Sequence, residues 1–151
     1  MFKQGIILPL IAILAVLCST TASAMTREEE EARYSACLKK ASDQDAVLAC
    51  QKESTDFWSS YLDDQYDTVS EACKKPQNEN VSSQLCGAKL LSMKRSWVSY
   101  RDEMDTIISA LYDKTSAKGQ VVSFIREATK NQALAVEAMM KNLQQPQQER
   151  P

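Results

Sequence analysis

The sequence predicts an all-α fold, a small antiparallel bundle of about four helices stapled by two disulfides. Three observations carry this. Apolar residues recur at helical spacing, most regularly at Cys86, Leu90, Met93, Trp97, Tyr100, Met104, Ile107 and Leu111, which step by 4, 3, 4, 3, 4, 3 and 4. Helix breakers are few: β-branched runs are rare, and prolines stand only at positions 9, 76, 146 and 151. Outside the opening segment, four cysteines fall into two pairs, Cys37 with Cys50 and Cys73 with Cys86, each enclosing twelve residues.

Residues 1–24 read as a signal peptide. Lys3 precedes an apolar run from Gly5 to Cys18. That run is shorter than the roughly 20 residues a bilayer span needs, but it suits the hydrophobic segment of a secretory signal. Ala22-Ser23-Ala24 supplies the small-x-small pattern of a cleavage site, so the mature chain is expected to begin at Met25. A lipoprotein signal wants a small residue just before its cysteine and a leucine three before it. Leu17 and Ala15 stand there, which argues against lipidation at Cys18. The expected location is the periplasm or the exterior, with no membrane insertion once the signal is removed.

Residues 25–143 form the expected helical domain. Thr26-Arg27-Glu28-Glu29 is a capping box that opens a first helix over about Arg27 to Lys40, with Tyr34 and Leu38 as its apolar stripe. Ser42, followed by an acid at Asp45, predicts the cap of a second helix. Trp58, Leu62, Tyr66, Val69 and Cys73 recur along that helix until Pro76 stops it. A third helix starts near Ser82 or Ser83 and carries the long seam quoted above. "KTSAKGQ", with Gly119, reads as a loop. A fourth helix is expected from about Gln120 to Leu143, with Val121, Ile125, Ala128, Ala135 and Met139 on or near its stripe. The tail, residues 144–151, has no apolar anchor and is expected to be disordered.

Four cysteines in an exported chain allow three pairings. The equal spacings, each spanning a polar loop signal, favour Cys37–Cys50 and Cys73–Cys86. Each closed loop would contribute roughly 3 kcal/mol by restricting the unfolded chain. A zinc site made of the same four thiolates lacks the usual C-x2-C knuckles.

Composition excludes more than it selects. Without Lys3, 17 basic and 20 acidic side chains remain, a net charge of −3 with no basic cluster for nucleic acid. The chain has no histidine, which removes the commonest general base and zinc ligand, and with only three glycines it shows no phosphate loop or nucleophile elbow. Asp63, Asp64 and Asp67 read as a solvated helix face, and "REEEEAR" as a helix start rather than a calcium loop. Catalytic residues, metal and cofactor are therefore all expected to be absent.

The stretch "RSWVSYRDEMD" concentrates Trp97, Tyr100, Arg101 and Asp102 on the third helix. Both rings lie on the heptad seam and are expected in the core. Arg101 sits beside the seam, where its stem can cover apolar surface. Asp102 can cap, pair with Arg95 or be solvated. An Arg101–Asp102 pair is not expected, because adjacent helical residues do not face each other.

"LLSMKRSWVSYRDEMD" also resembles the signature of the LprI-like lysozyme-inhibitor family of small exported bacterial proteins, L-x-x-A-Q-R-x-W-h-x-[YF]-R-D-x-x-C, where h is apolar. Leu90, Arg95, Trp97, Val98, Tyr100, Arg101 and Asp102 match it. Cys37 and Cys50 resemble the family's first cysteine pair, and Leu62 and Tyr66 its L-N-x-x-Y, with Asp63 in place of the asparagine. The similarity covers about residues 34–140. Met93 and Lys94 depart from Ala-Gln, and Asp105 stands where the family has a cysteine of its second bridge.

The resemblance implies an exported protein-binding domain that inhibits lysozyme-like muramidases, with a mildly acidic, stapled surface meeting a basic enzyme. The alternative is a periplasmic immunity or envelope interaction protein whose partner is a delivered effector. In either case the segment between Cys73 and Cys86, with Gln77, Asn78, Glu79 and Asn80 at its centre, is a candidate binding loop held at its ends by a bridge.

Overall fold

The structure is a computed structural model and describes residues 25–76 and 80–144. The expected signal segment with Cys18, loop residues Gln77, Asn78 and Glu79, and residues 145–151 of the tail lie outside the described residues. Four helices follow in order: α1 (Arg27–Lys40), α2 (Gln44–Cys73), α3 (Ser83–Leu111) and α4 (Lys114–Gln144). No strand occurs among the described residues, and no described helix is long and apolar enough to cross a membrane.

Local side chains start each helix. At α1 the capping box forms: Thr26 Oγ1 accepts from the Glu29 N–H, and the Glu29 carboxylate accepts from the Thr26 N–H. Ser82 caps α3 by accepting from the Leu85 N–H at 3.1 Å. At α2 the cap is Asp43 rather than the expected Ser42. The Asp43 carboxylate accepts from the Ala46 N–H at 2.8 Å, while Ser42 donates its hydroxyl to the same carboxylate. Those bonds, the one from Ala46 first, hold the Asp43 carboxyl below its ordinary value.

The expected loop "KTSAKGQ" is helical. Asp113 accepts from both the N–H and the hydroxyl of Ser116, which supplies a helix start six residues earlier than Gln120. Gly119 lies within α4, where a Cβ would sit 2.9 Å from Gln44 Nε2. The start of α4 thus lies against the start of α2.

Residue pairs along the chain define the topology. Gln44 meets Gly119, Ser54 meets Arg126 and Tyr66 meets Gln132, so α2 and α4 run parallel. α3 returns antiparallel between them in sequence, with Lys94 over the Tyr66 ring and Tyr100 beside Phe124. α1 is antiparallel to α2, with Glu31 at Trp58 and Arg33 at Glu53. Sequence neighbours are thus antiparallel, as short connections require. Both expected bridges are present, with Cα–Cα distances of 5.8 Å for Cys37–Cys50 and 5.4 Å for Cys73–Cys86.

The core lies between α2, α3 and α4: Trp58, Leu62, Tyr66, Leu90, Ala133 and Val136, flanked by Phe57, Tyr61, Val69, Met93, Trp97 and Leu134. The α2 stripe matches expectation. The buried face of α4 does not. It runs through Arg126, Thr129, Ala133, Val136 and Met140, while Ala135 and Met139 are exposed. An arginine and a threonine occupy two turns of that face, so a search for apolar periodicity settles on the adjacent stripe.

α1 packs its backbone on α2 and reaches α4 through long side chains. Arg27 Nη1 donates to Glu137 at 2.6 Å, and Lys130 Nζ lies 2.9 Å from Glu31. Arg126 is 2% exposed and gathers the most partners. It donates to Ser54 Oγ at 2.8 Å, to Glu31 at 2.5 Å and to Glu127, and its guanidinium lies 3.7 Å from the centre of the Tyr34 ring. Trp58 Nε1 donates to Glu31 as well. Glu30, fully buried, is held by two bonds from Arg33.

Gly119→Ala and Gly87→Ala are each expected to stabilise the fold by about 0.5–1 kcal/mol, because alanine relieves the helical cost of glycine. A Cβ at Gly87 meets nothing within 4 Å, and at Gly119 it meets the tip of a flexible, exposed glutamine. Denaturant unfolding of the purified variants measures this.

The second prediction concerns acid. Burial pushes the Glu31 and Glu137 carboxyls up, but hydrogen bonds and charge from Lys130 and Arg126, and from Lys141 and Arg27, outweigh it and hold both below the ordinary 4.5. Their folded values are depressed, so their contribution is complete above the ordinary value and is lost as pH falls through the folded one. The urea midpoint is expected to hold steady from about pH 7 to about pH 5 and to drop below about pH 4.5. Glu31→Gln and Glu137→Gln should lower the plateau and shrink the drop.

Candidate functional site

The motif residues on α3 divide between the interior and an open groove. Leu90 is buried in the core, and Trp97 is half-buried against it. Tyr100 departs from expectation: it is 47% exposed. The reason is helical drift. The buried line on α3 runs Leu90, Met93, Trp97, Met104 and Ile108, close to 3.6 residues per turn. The strict seven-residue seam rotates by about 20° per heptad relative to that line. Tyr100, Ile107 and Leu111 therefore leave the core, and Leu111 is 75% exposed.

Arg101 is half-buried and Asp102 exposed. The Arg101 guanidinium lies 3.5 Å from the Asp102 carboxylate, a neighbour contact that helix geometry argues against. It is long and solvent-screened, so it contributes little. Of the candidate loop residues, Asn80 is described and exposed, in the turn before Ser82. Asp63, Asp64 and Asp67 are exposed along α2, with Asp67 at 4.0 Å from Lys94. Among the described residues no group of three or more His, Cys, Asp or Glu is placed to hold a metal ion.

What α3 and α4 do bring together is a ladder of rings. The Trp97 and Tyr100 centroids are 6.0 Å apart, and those of Tyr100 and Phe124 are 6.1 Å apart. They form an open groove of about 370 Å³ with Ala128 on its floor and Glu127, Asn131 and Gln132 along its edge. Gln132 links the groove to the core by donating to the Tyr66 hydroxyl at 3.3 Å. Burial pushes the Tyr66 phenol up, so this hydroxyl stays protonated at neutral pH. Glu127 is fixed by Arg126 from behind. Rings, amides and a carboxylate in an open groove suit apolar contact and hydrogen bonding with a partner surface.

The second concavity, about 400 Å³, lies between α2 and α4 over Leu48, Ala49, Val122 and Ile125. Its edge mixes Asp45 and Asp56 with Lys52 and Lys118. Sequence reading missed the α4 side of the aromatic groove. The available signal was Phe124 and Ala128 at i,i+4, which reads as part of a core stripe until Arg126 is known to face inward.

The family model described as Lysozyme inhibitor LprI matches residues 37–135. That span starts at the first bridged cysteine, holds the whole Trp-to-Asp motif and takes in both walls of the groove. The chain belongs to the LprI lysozyme-inhibitor family. In this LprI member, Met93 fills the edge of the core and Lys94 stacks over Tyr66 where the family signature carries Ala-Gln. Asp105 accepts from Ser109 Oγ instead of forming a bridge. Neither a curated protein nor a solved structure matches the chain.

The two motif rings should separate in stability. Trp97→Ala is expected to cost about 2–3 kcal/mol, as a half-buried large ring leaves a gap in the core, and Tyr100→Ala under about 1 kcal/mol. Paired urea unfolding curves at neutral pH provide the comparison.

Proposed function

We propose that the chain is an exported protein that binds a lysozyme-like muramidase and inhibits it without doing chemistry of its own. The observation that carries this is the family match across residues 37–135, which includes the motif and both helices of the aromatic groove. Two disulfides fit an oxidising compartment, and the opening residues 1–24 fit a signal removed on export. A net charge of −2 for the full chain suits a basic enzyme as partner. A surface carried on stapled helices loses little freedom on docking. The segment Gln77–Asn80, anchored at Cys73 and Cys86, is a further element proposed to meet the enzyme.

The test is direct. The exported, oxidised protein is titrated against hen-type lysozyme and bacterial muramidases in a cell-wall clearing assay. Inhibition in the micromolar range, about −8 kcal/mol of binding, is expected. Full activity of every enzyme tested would end this reading. Recovery of a delivered effector from periplasmic extract, in place of a muramidase, would establish the immunity role instead.

A further inference from the structure

We infer that the α3–α4 groove, continued along α3 by Ile107 and Leu111, is the surface on which this chain docks a cationic muramidase. This rests on the function proposed above and adds the contact surface and the charge of its occupant.

Among the described residues, seven of the nine exposed large apolar side chains lie between Leu85 and Tyr112, and Tyr100, Ile107 and Leu111 of these share one flank of α3. A concentration of this kind marks an interaction surface. On the flank of α3 beside α4, Tyr100, Met104, Ile107 and Leu111 step by 4, 3 and 4. Phe124 widens this strip at Tyr100, where the groove opens. The result is a three-turn apolar seam next to an aromatic pocket, built on rigid elements, with the spacing that receives another helix or a ridge.

The charges choose the occupant. Glu127 lines the groove, and Glu103 stands one turn from both Tyr100 and Ile107. Arg126 offsets Glu127, whereas Glu103 is met by a neutral group, the Ser99 hydroxyl at 3.0 Å. A second copy docked on the strip would add a second Glu103 carboxylate to the same interface. A basic surface would find apolar contact beside the Glu103 carboxylate, whose partner is a neutral hydroxyl.

The test uses the exported protein with its disulfides intact and three variants, each checked for an unchanged circular dichroism melt. The double variant Tyr100→Ser with Ile107→Ser removes the strip. Glu103→Lys reverses the charge without touching the packing. Leu91→Ser removes exposed apolar area on the opposite flank of α3. Binding to each muramidase is measured at low and high salt, with sedimentation velocity on the free protein. The double variant should weaken binding at least about tenfold. Glu103→Lys should weaken it several-fold at low salt and less at high salt, and Leu91→Ser should leave it unchanged. Should the unaltered protein bind and both the double variant and Glu103→Lys bind equally well, the surface proposal falls while the inhibitor reading stands. Should the unaltered protein bind no muramidase, both fall. A dimer that the double variant splits would make the strip a self-interface and overturn the proposal.

Discussion

Arg126 joins α1 and α4, which make no close backbone contact, to each other and to α2 through a single side chain. α1 has no close backbone approach to α4 among the described residues, so its position depends on side chains that span the gap. The guanidinium of Arg126 reaches Ser54 on α2, Glu31 on α1 and Glu127 on its own helix, with the Tyr34 ring against its face. A charge this deeply buried is tolerated because each of its three nitrogens donates a hydrogen bond and two carboxylates offset it. The cluster specifies geometry as much as stability: only one rotation of α4 satisfies these partners together. That rotation places Phe124 and Ala128 beside α3, and so builds the open groove.

Much of the fold was legible because local chemistry and global packing agree. The capping box at Thr26, the serine at the start of α3 and the equal cysteine spacings each specify a structure that the full fold retains. The misreadings have definite causes. Gly119 lowers helix propensity, but Asp113 caps the helix ahead of it. Arg126 hides the inward face of α4, because a buried arginine looks like a surface residue until its partners on two other helices are known. Those partners lie 72 and 95 residues away, beyond the reach of any local pattern.

The site was half legible. The motif around Trp97 could be found from spacing and resemblance, and its tryptophan packs as an interior residue should. Tyr100 was misplaced because its heptad position was read as burial. Over a helix of 29 residues, the difference between a 3.5-residue and a 3.6-residue repeat becomes large enough to move side chains from the core to the surface. The same regularity that suggested an interior seam therefore describes, over its second half, a seam facing outward.

The bridges have a consequence for how the molecule matures. Each joins cysteines that are consecutive in the chain and closes a short helix-to-helix connection. On a polypeptide made from its N-terminus, Cys37 and Cys50 appear together before Cys73 and Cys86 do. The native partners are then always the two newest to arrive, so oxidation can keep pace with delivery and little thiol–disulfide reshuffling is needed afterwards.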